Sequence, residues 1–162
     1  MGQPPLNAPS IAGVRLTTLR VFADERGAVL HMLRADAGDF AGFGECYFSE
    51  VNAGALKAWK RHRLQAQNLA VPVGRVRFVV VDDREGSATR GQTNVFELGR
   101  PDAYARLHIP ALLWYGFHGL AGAPSLVANC ADRPHDPLDN ELAALDLAPL
   151  AGATSLLRNG LA

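Results

Sequence analysis

The sequence predicts an all-β protein, a barrel or double-sheet jelly roll closed by a short C-terminal helical segment. Three observations carry this. Apolar, strand-like runs recur at intervals of roughly 8–12 residues. Gly- or Pro-containing turns separate them, and no stretch before residue 139 shows sustained helical periodicity.

Residues 1–10 contain three prolines and read as a flexible N-terminal arm. Ile11–Ala23 follows as a strand, with Val14, Leu16 and Leu19 among polar residues. Asp24-Glu25-Arg26-Gly27 is a turn, and Gly27–Arg34 is the return strand of a hairpin. After the Gly-rich loop Asp36–Phe43 come a short strand at Glu45–Val51, the stretch Gly54–Gly74, and a continuous buried strand at Arg75–Val81. Asn94–Leu98, Ala105–Ile109, Pro110–Phe117 and Ser125–Ala131 complete the series, placing the barrel domain at 11–138. Residues 139–162 form a C-terminal extension, in which Leu142, Leu145 and Leu147 predict one short helix over Asp139–Leu150.

At 162 residues and 48% hydrophobic content the chain suits a single domain with a substantial core. Its formal net charge of zero provides no general field for nucleic acid or an anionic membrane. Four basic residues fall within Lys57–Arg63. On a strand they divide between two faces, which argues against a nucleic-acid surface. No basic-then-apolar leader opens the sequence, and no apolar run approaches the length of about 18 residues that a membrane helix needs. A cytoplasmic location is expected. Cys46 and Cys130 lie in apolar runs and read as small buried thiols, with a disulfide between them left open.

The chemistry concentrates in Gly54–Gly74. Lys60 and His62 are two apart, so on a strand they share a face, while Arg61 and Arg63 take the other. Polar groups repeated along one face of an apolar strand line a pocket, because unpaired burial elsewhere costs several kcal/mol. The spacing of Gly54, Lys60, His62, Gln67 and Gly74 resembles the first motif of the cupin barrels, with Lys60 where that motif has a metal-binding His and Gln67 where it has an acid. A charged ammonium has no lone pair to offer a metal, so no metal and no other cofactor is expected.

Five segments, in order, resemble the dTDP-4-dehydrorhamnose 3,5-epimerase family, the metal-free sugar-epimerase branch of the cupins. They are Phe22-Ala-Asp-Glu-Arg-Gly27, Gly54-Ala-Leu-Lys-Ala-Trp59, the run from Val73 to Arg84, Ile109-Pro-Ala-Leu-Leu-Trp-Tyr-Gly-Phe117 and Asp132-Arg-Pro-His-Asp-Pro137. The resemblance implies a cupin-type double-stranded β-helix, a homodimer and a dTDP-sugar substrate. It also implies epimerisation at C3, C5 or both of a 4-keto-6-deoxy sugar. The ketone acidifies the neighbouring C–H bonds, a base removes a proton, and an acid returns one to the opposite face. By the same resemblance Arg26 and Lys57 contact the nucleotide or its phosphates, Lys57 standing where the family usually has Arg.

The chain departs from the family at its catalytic positions. The family's base, a His, is Lys60 here, and a second His is Tyr115. The family's acid, a Tyr, aligns near Ala128 or Asn129, and no carboxylate orienting the base is identifiable. Either Lys60, desolvated beside Arg61 or Arg63, or His62 can then serve as base. Tyr115 can donate a proton or stabilise the enolate. Trp114 can stack on a base or sugar, and His135 can close over the barrel mouth. Two alternatives remain, a sugar 3,4-ketoisomerase and a non-catalytic nucleotide-sugar-binding cupin. A metal-dependent oxygenase ranks third, since only His62 of the cupin ligand set survives.

Overall fold

A computed structural model describes residues 9–160. The strands, in chain order, are β1 (Arg15–Thr18), β2 (Val21–Asp24), β3 (Gly27–Leu30), β4 (Glu45–Val51), β5 (Leu56–His62) and β6 (Gln67–Val73). They continue as β7 (Arg75–Val81), β8 (Thr93–Gly99), β9 (Ala105–Ile109), β10 (Trp114–Gly119), β11 (Ser125–Ala131) and β12 (Asn140–Leu142), followed by α1 (Leu150–Asn159). Two antiparallel five-stranded sheets, β1-β9-β6-β11-β4 and β12-β5-β10-β7-β8, form the jelly-roll barrel that the sequence predicts. The hairpin β2-β3 stands apart as a two-stranded ribbon.

Strand alternation decides what fills the barrel. Leu69, Val71, Leu107 and Ile109 of one sheet meet Val76, Phe78, Val80, Phe96 and Leu98 of the other in the interior core. The intervening residues of β7, Val79 and Val81, point outward and pack with Trp59 and Trp114 against Leu150, Ala153 and Leu157 of α1. Trp59 Nε1 donates to Thr154 Oγ1 at 3.0 Å, which satisfies the indole in this second core. Gly116 allows the close approach. A Cβ there would stand 2.5 Å from Ala58 Cβ and 3.1 Å from Leu157 Cδ2.

Four expectations need correction. The run 11–23 breaks into β1 and β2 at Leu19 and Arg20, and the return strand stops at Leu30 rather than Arg34. The C-terminal helix lies at Leu150–Asn159, not Asp139–Leu150. Residues 140–142 are instead an edge strand paired with β5, and Glu141 is held by Arg61 and Arg63. Pro149 sits just before the helix, where its missing N–H costs nothing, and Leu150, Ala153 and Leu157 supply the helical spacing. The segment set apart beyond residue 138 thus completes one sheet and covers it. Cys46 is exposed rather than buried; it faces Cys130 across β4 and β11 as a free thiol, with the sulfurs 3.4 Å apart. Residues 1–8 of the proposed arm lie outside the described residues, and Ser10 is pinned by Asn94 through its amide and hydroxyl.

Leu157 is fully buried between α1 and the sheet, so Leu157→Ala is expected to cost about 2–5 kcal/mol in urea unfolding. A loss under about 1 kcal/mol would mean that α1 is not part of the cooperative unit. His108, 7% exposed, lies against Asn68 Oδ1 at 3.0 Å, and burial, reinforced by Arg15, pushes its pKa down to about 4. The unfolded chain then binds this proton near pH 6.5 while the folded chain does not. Stability is therefore lost as pH falls from about 6.5 to about 4, on the order of 3 kcal/mol from this group. His108→Gln should flatten that part of the slope when urea unfolding is compared at the two pH values.

Candidate active site

The site begins with a break in strand register. Tyr115 pairs with Lys60 and Phe117 with Lys57, so β10 advances two residues while β5 advances three. This is a β-bulge, and it returns Lys57 to the face that Lys60 occupies. Both lysines wall a cavity of about 290 Å³ between the two sheets, with Tyr115 beside them and Tyr47, Ser49 and Asn129 on the opposite sheet. That size is at the lower end for a small-molecule pocket.

Lys60 is half-buried, and no hydrogen bond to a described residue ties its amine. Burial lowers its pKa, with Glu45 and Asp139 acting in the opposite direction. His62 points the same way along β5 but lies behind the wall, 4% exposed. Its Nδ1 is 3.4 Å from Asp139 Oδ2 and its Nε2 is 3.1 Å from the Tyr115 hydroxyl. Burial, then the charge of Lys60, lowers the His62 pKa and outweighs Asp139, so the ring is neutral near pH 7. With its proton on Nδ1 facing the carboxylate, Nε2 accepts from Tyr115. Burial raises the Tyr115 pKa well above the usual phenol range.

Asp139, beside His62, is a carboxylate of this site that sequence inspection did not single out. Its oxygens also accept from the amides of Leu64 and Gln65 at 2.8 and 3.1 Å, which fixes the loop after β5. Nothing in the local pattern Pro-Leu-Asp-Asn marks it, because its partner lies more than seventy residues away in the chain.

A second polar chain runs along the opposite wall. Asn129 Nδ2 donates to Tyr47 Oη at 2.8 Å and to Gln67 Oε1 at 2.5 Å, and Gln67 Nε2 donates to Gln65 Oε1 at 2.8 Å. Tyr47 was also missed. Its signal was the alternation Glu45, Tyr47, Ser49, Val51, which places a phenol on the inward face of β4. Among the described residues no three His, Cys, Asp or Glu side chains are grouped as a metal site would require.

The other expected residues separate. Lys57 reaches across to β4, donating to Ser49 Oγ at 3.1 Å and the Glu50 carbonyl at 2.5 Å. Trp114 does not line the cavity. It faces outward, donates to Asp83 Oδ2 at 3.0 Å and carries the Arg61 guanidinium 4.4 Å over its ring. Even parity on β10 put it on the wrong side for stacking on a ligand, and Arg61 with Glu141 and Asp83 forms a clamp there. Arg26 is at the exposed hairpin tip, paired with Asp24 at 2.7 Å and lining a separate surface depression. His135 is exposed in the loop after β11, close enough for its charge to disfavour protonation of His62.

The model of the dTDP-4-dehydrorhamnose 3,5-epimerase family matches residues 8–147. A crystal structure of a dTDP sugar isomerase from Desulfovibrio desulfuricans is 48% identical, superposes with a TM-score of 0.84 and covers 91% of each chain. The probable low-salt glycan biosynthesis epimerase Agl13 of Haloferax volcanii is 32% identical over 130 residues, 79% of this chain and 83% of its own. The spore coat polysaccharide biosynthesis protein SpsL of Bacillus subtilis is 28% identical over 127 residues, 78% of this chain and 83% of its own. Match and fold agree: the chain belongs to the dTDP-4-dehydrorhamnose 3,5-epimerase family of sugar epimerases, on the cupin fold.

Proposed function

We propose that the protein epimerises C3, C5 or both of a dTDP-4-keto-6-deoxy sugar through an enolate. The observation that carries this reading is Lys60, an amine of lowered pKa with no hydrogen bond to a described residue, set on a cavity wall and directly paired with Tyr115 across the bulged strands. Lys60 takes the proton next to the ketone. As charge develops on the enolate oxygen, the single Tyr115 hydroxyl hydrogen, which otherwise rests on His62 Nε2, turns to that oxygen. His62 supports Tyr115 rather than acting as the base, since Asp139 and Tyr115 occupy both its nitrogens. Lys57 contacts the phosphates from the cavity edge. The name of the 48%-identical isomerase supports the nucleotide, and the names of the two curated relatives support a role in glycan or polysaccharide assembly.

Arg26 belongs to the same reading through a homodimer. The β2-β3 hairpin exposes Val21, Phe22 and Val29 and buries no strand face of its own, so a second copy of the chain is the cover it needs. That copy's cavity is where the Arg26 guanidinium would meet a phosphate. The two free thiols suit a reducing, cytoplasmic setting, and no helix among the described residues is long and apolar enough to cross a membrane.

The test is proton NMR of dTDP-4-keto-6-deoxyglucose incubated with the protein in D2O. Loss of the H3 or H5 signal is expected, and Lys60→Ala should slow it by roughly 10²–10⁴-fold. Binding of the nucleotide sugar without exchange would identify a non-catalytic binder, and undiminished exchange in the variant would remove Lys60 as base. The pH profile adds a second check. A base must be unprotonated, so kcat/KM should rise with pH and level off at an apparent pKa below 10.5. Lys60→His should move that rise down toward about 6.5.

A further inference from the structure

An inverting proton transfer needs two groups on opposite faces of one carbon, and the walls of this cavity differ in what they offer. Lys60 and Tyr115 are cross-strand neighbours on the same sheet, so both approach a bound sugar from one side. Tyr115 is therefore placed to stabilise the enolate but not to return a proton from behind it. The sheet across the cavity presents Tyr47, Ser49, Leu69, Val127 and Asn129. Of these, Tyr47 alone combines an acidic hydroxyl with reach. The aliphatic Ser49 hydroxyl is a far weaker acid than a phenol, and an amide such as Asn129 gives up no proton.

We propose that Tyr47 is the proton donor that completes epimerisation, with Asn129 as its positioning residue. This rests on the enolate reading above. Asn129 Nδ2 donates to Tyr47 Oη, which leaves the phenolic hydrogen free to point at the ligand. Burial, reinforced by Glu45, raises the Tyr47 pKa, so the phenol carries its proton at neutral pH. Tyr47 keeps 38% of its surface open, which allows recharging from solvent. In the step, the C–H pair becomes the C=C bond of the enolate as Lys60 takes the proton. The enolate carbon then takes the Tyr47 hydroxyl proton on its other face. The tyrosinate regains a proton from water, and the Lys60 ammonium releases one to water, so nothing is consumed.

A lysine base makes the proposal unusually testable. Its ammonium carries three equivalent hydrogens, so in D2O a proton returned by Lys60 to its own face is deuterium in roughly two of three events even before the ammonium exchanges. Exchange can thus continue without inversion. Wild type should show deuterium uptake and epimerised product together. Tyr47→Phe, and Tyr47→Gln as a second removal of the phenol that still accepts from Asn129, should cut formation of the epimer by about 10²-fold or more. Deuterium uptake with retained configuration should persist within about threefold of wild type. Equal loss of both readouts, or inversion that survives in both variants, would overturn Tyr47 as donor while leaving the enolate reading intact. Absence of exchange in wild type would instead overturn the reading on which the inference rests.

Discussion

The bulge between β5 and β10 is the constraint on which the site depends. Without the extra residue, Lys57 and Lys60 would lie on opposite faces of the strand, one of them driven into the apolar layer against α1. With it, Lys57, Lys60 and His62 all face the barrel, while Trp59 and Arg61 face outward. The outward residues then stabilise the arrangement from behind: Trp59 is anchored on Thr154, and Arg61 clamps β12 through Glu141 while stacking on Trp114. The helix and edge strand at the C-terminal end are thus the outer support of β5.

Charge placement follows from the same geometry. Lys60 loses solvent without gaining a close counter-ion among the described residues, which favours the neutral amine. Asp139 is nearby but occupied by two backbone amides and by His62, so its charge is shared. The positive charge of Lys60 in turn helps keep His62 neutral, and a neutral His62 can accept from Tyr115. Lys60, Tyr115, His62 and Asp139 therefore form one coupled electrostatic unit on one wall. The Tyr47–Asn129–Gln67 chain forms a separate unit on the other.

The barrel was legible because alternation and turn chemistry are local signals. Glu45–Val51, Arg75–Val81, Ala105–Ile109 and Ser125–Ala131 fall where the pattern puts them. Lys60 and His62 were legible as a shared face for the same reason. What escaped depends on pairing between distant segments. Asp139 acquires meaning only when β12 docks on β5, and Tyr47 only when β4 closes the cavity opposite β5. Trp114 was misplaced because an aromatic beside Tyr115 looks equally suited to either face. The helix was misplaced because the leucines at 142, 145 and 147 mimic a helical stripe, whereas residues 140–142 are drawn out by the unsatisfied edge of β5.

The central claim is that the fold has converted a lysine into a base by partial burial beside a phenol. The most direct measurement is a pH titration of the Lys60 side chain by NMR, using protein labelled with 13C at lysine Cε and assigned with Lys60→Arg. The account predicts that Lys60 titrates below 10.5, the ordinary lysine value, and apart from Lys57. A Lys60 that titrates at or above that value would mean that Glu45 and Asp139 outweigh burial, and the amine would then be a charged contact rather than the base.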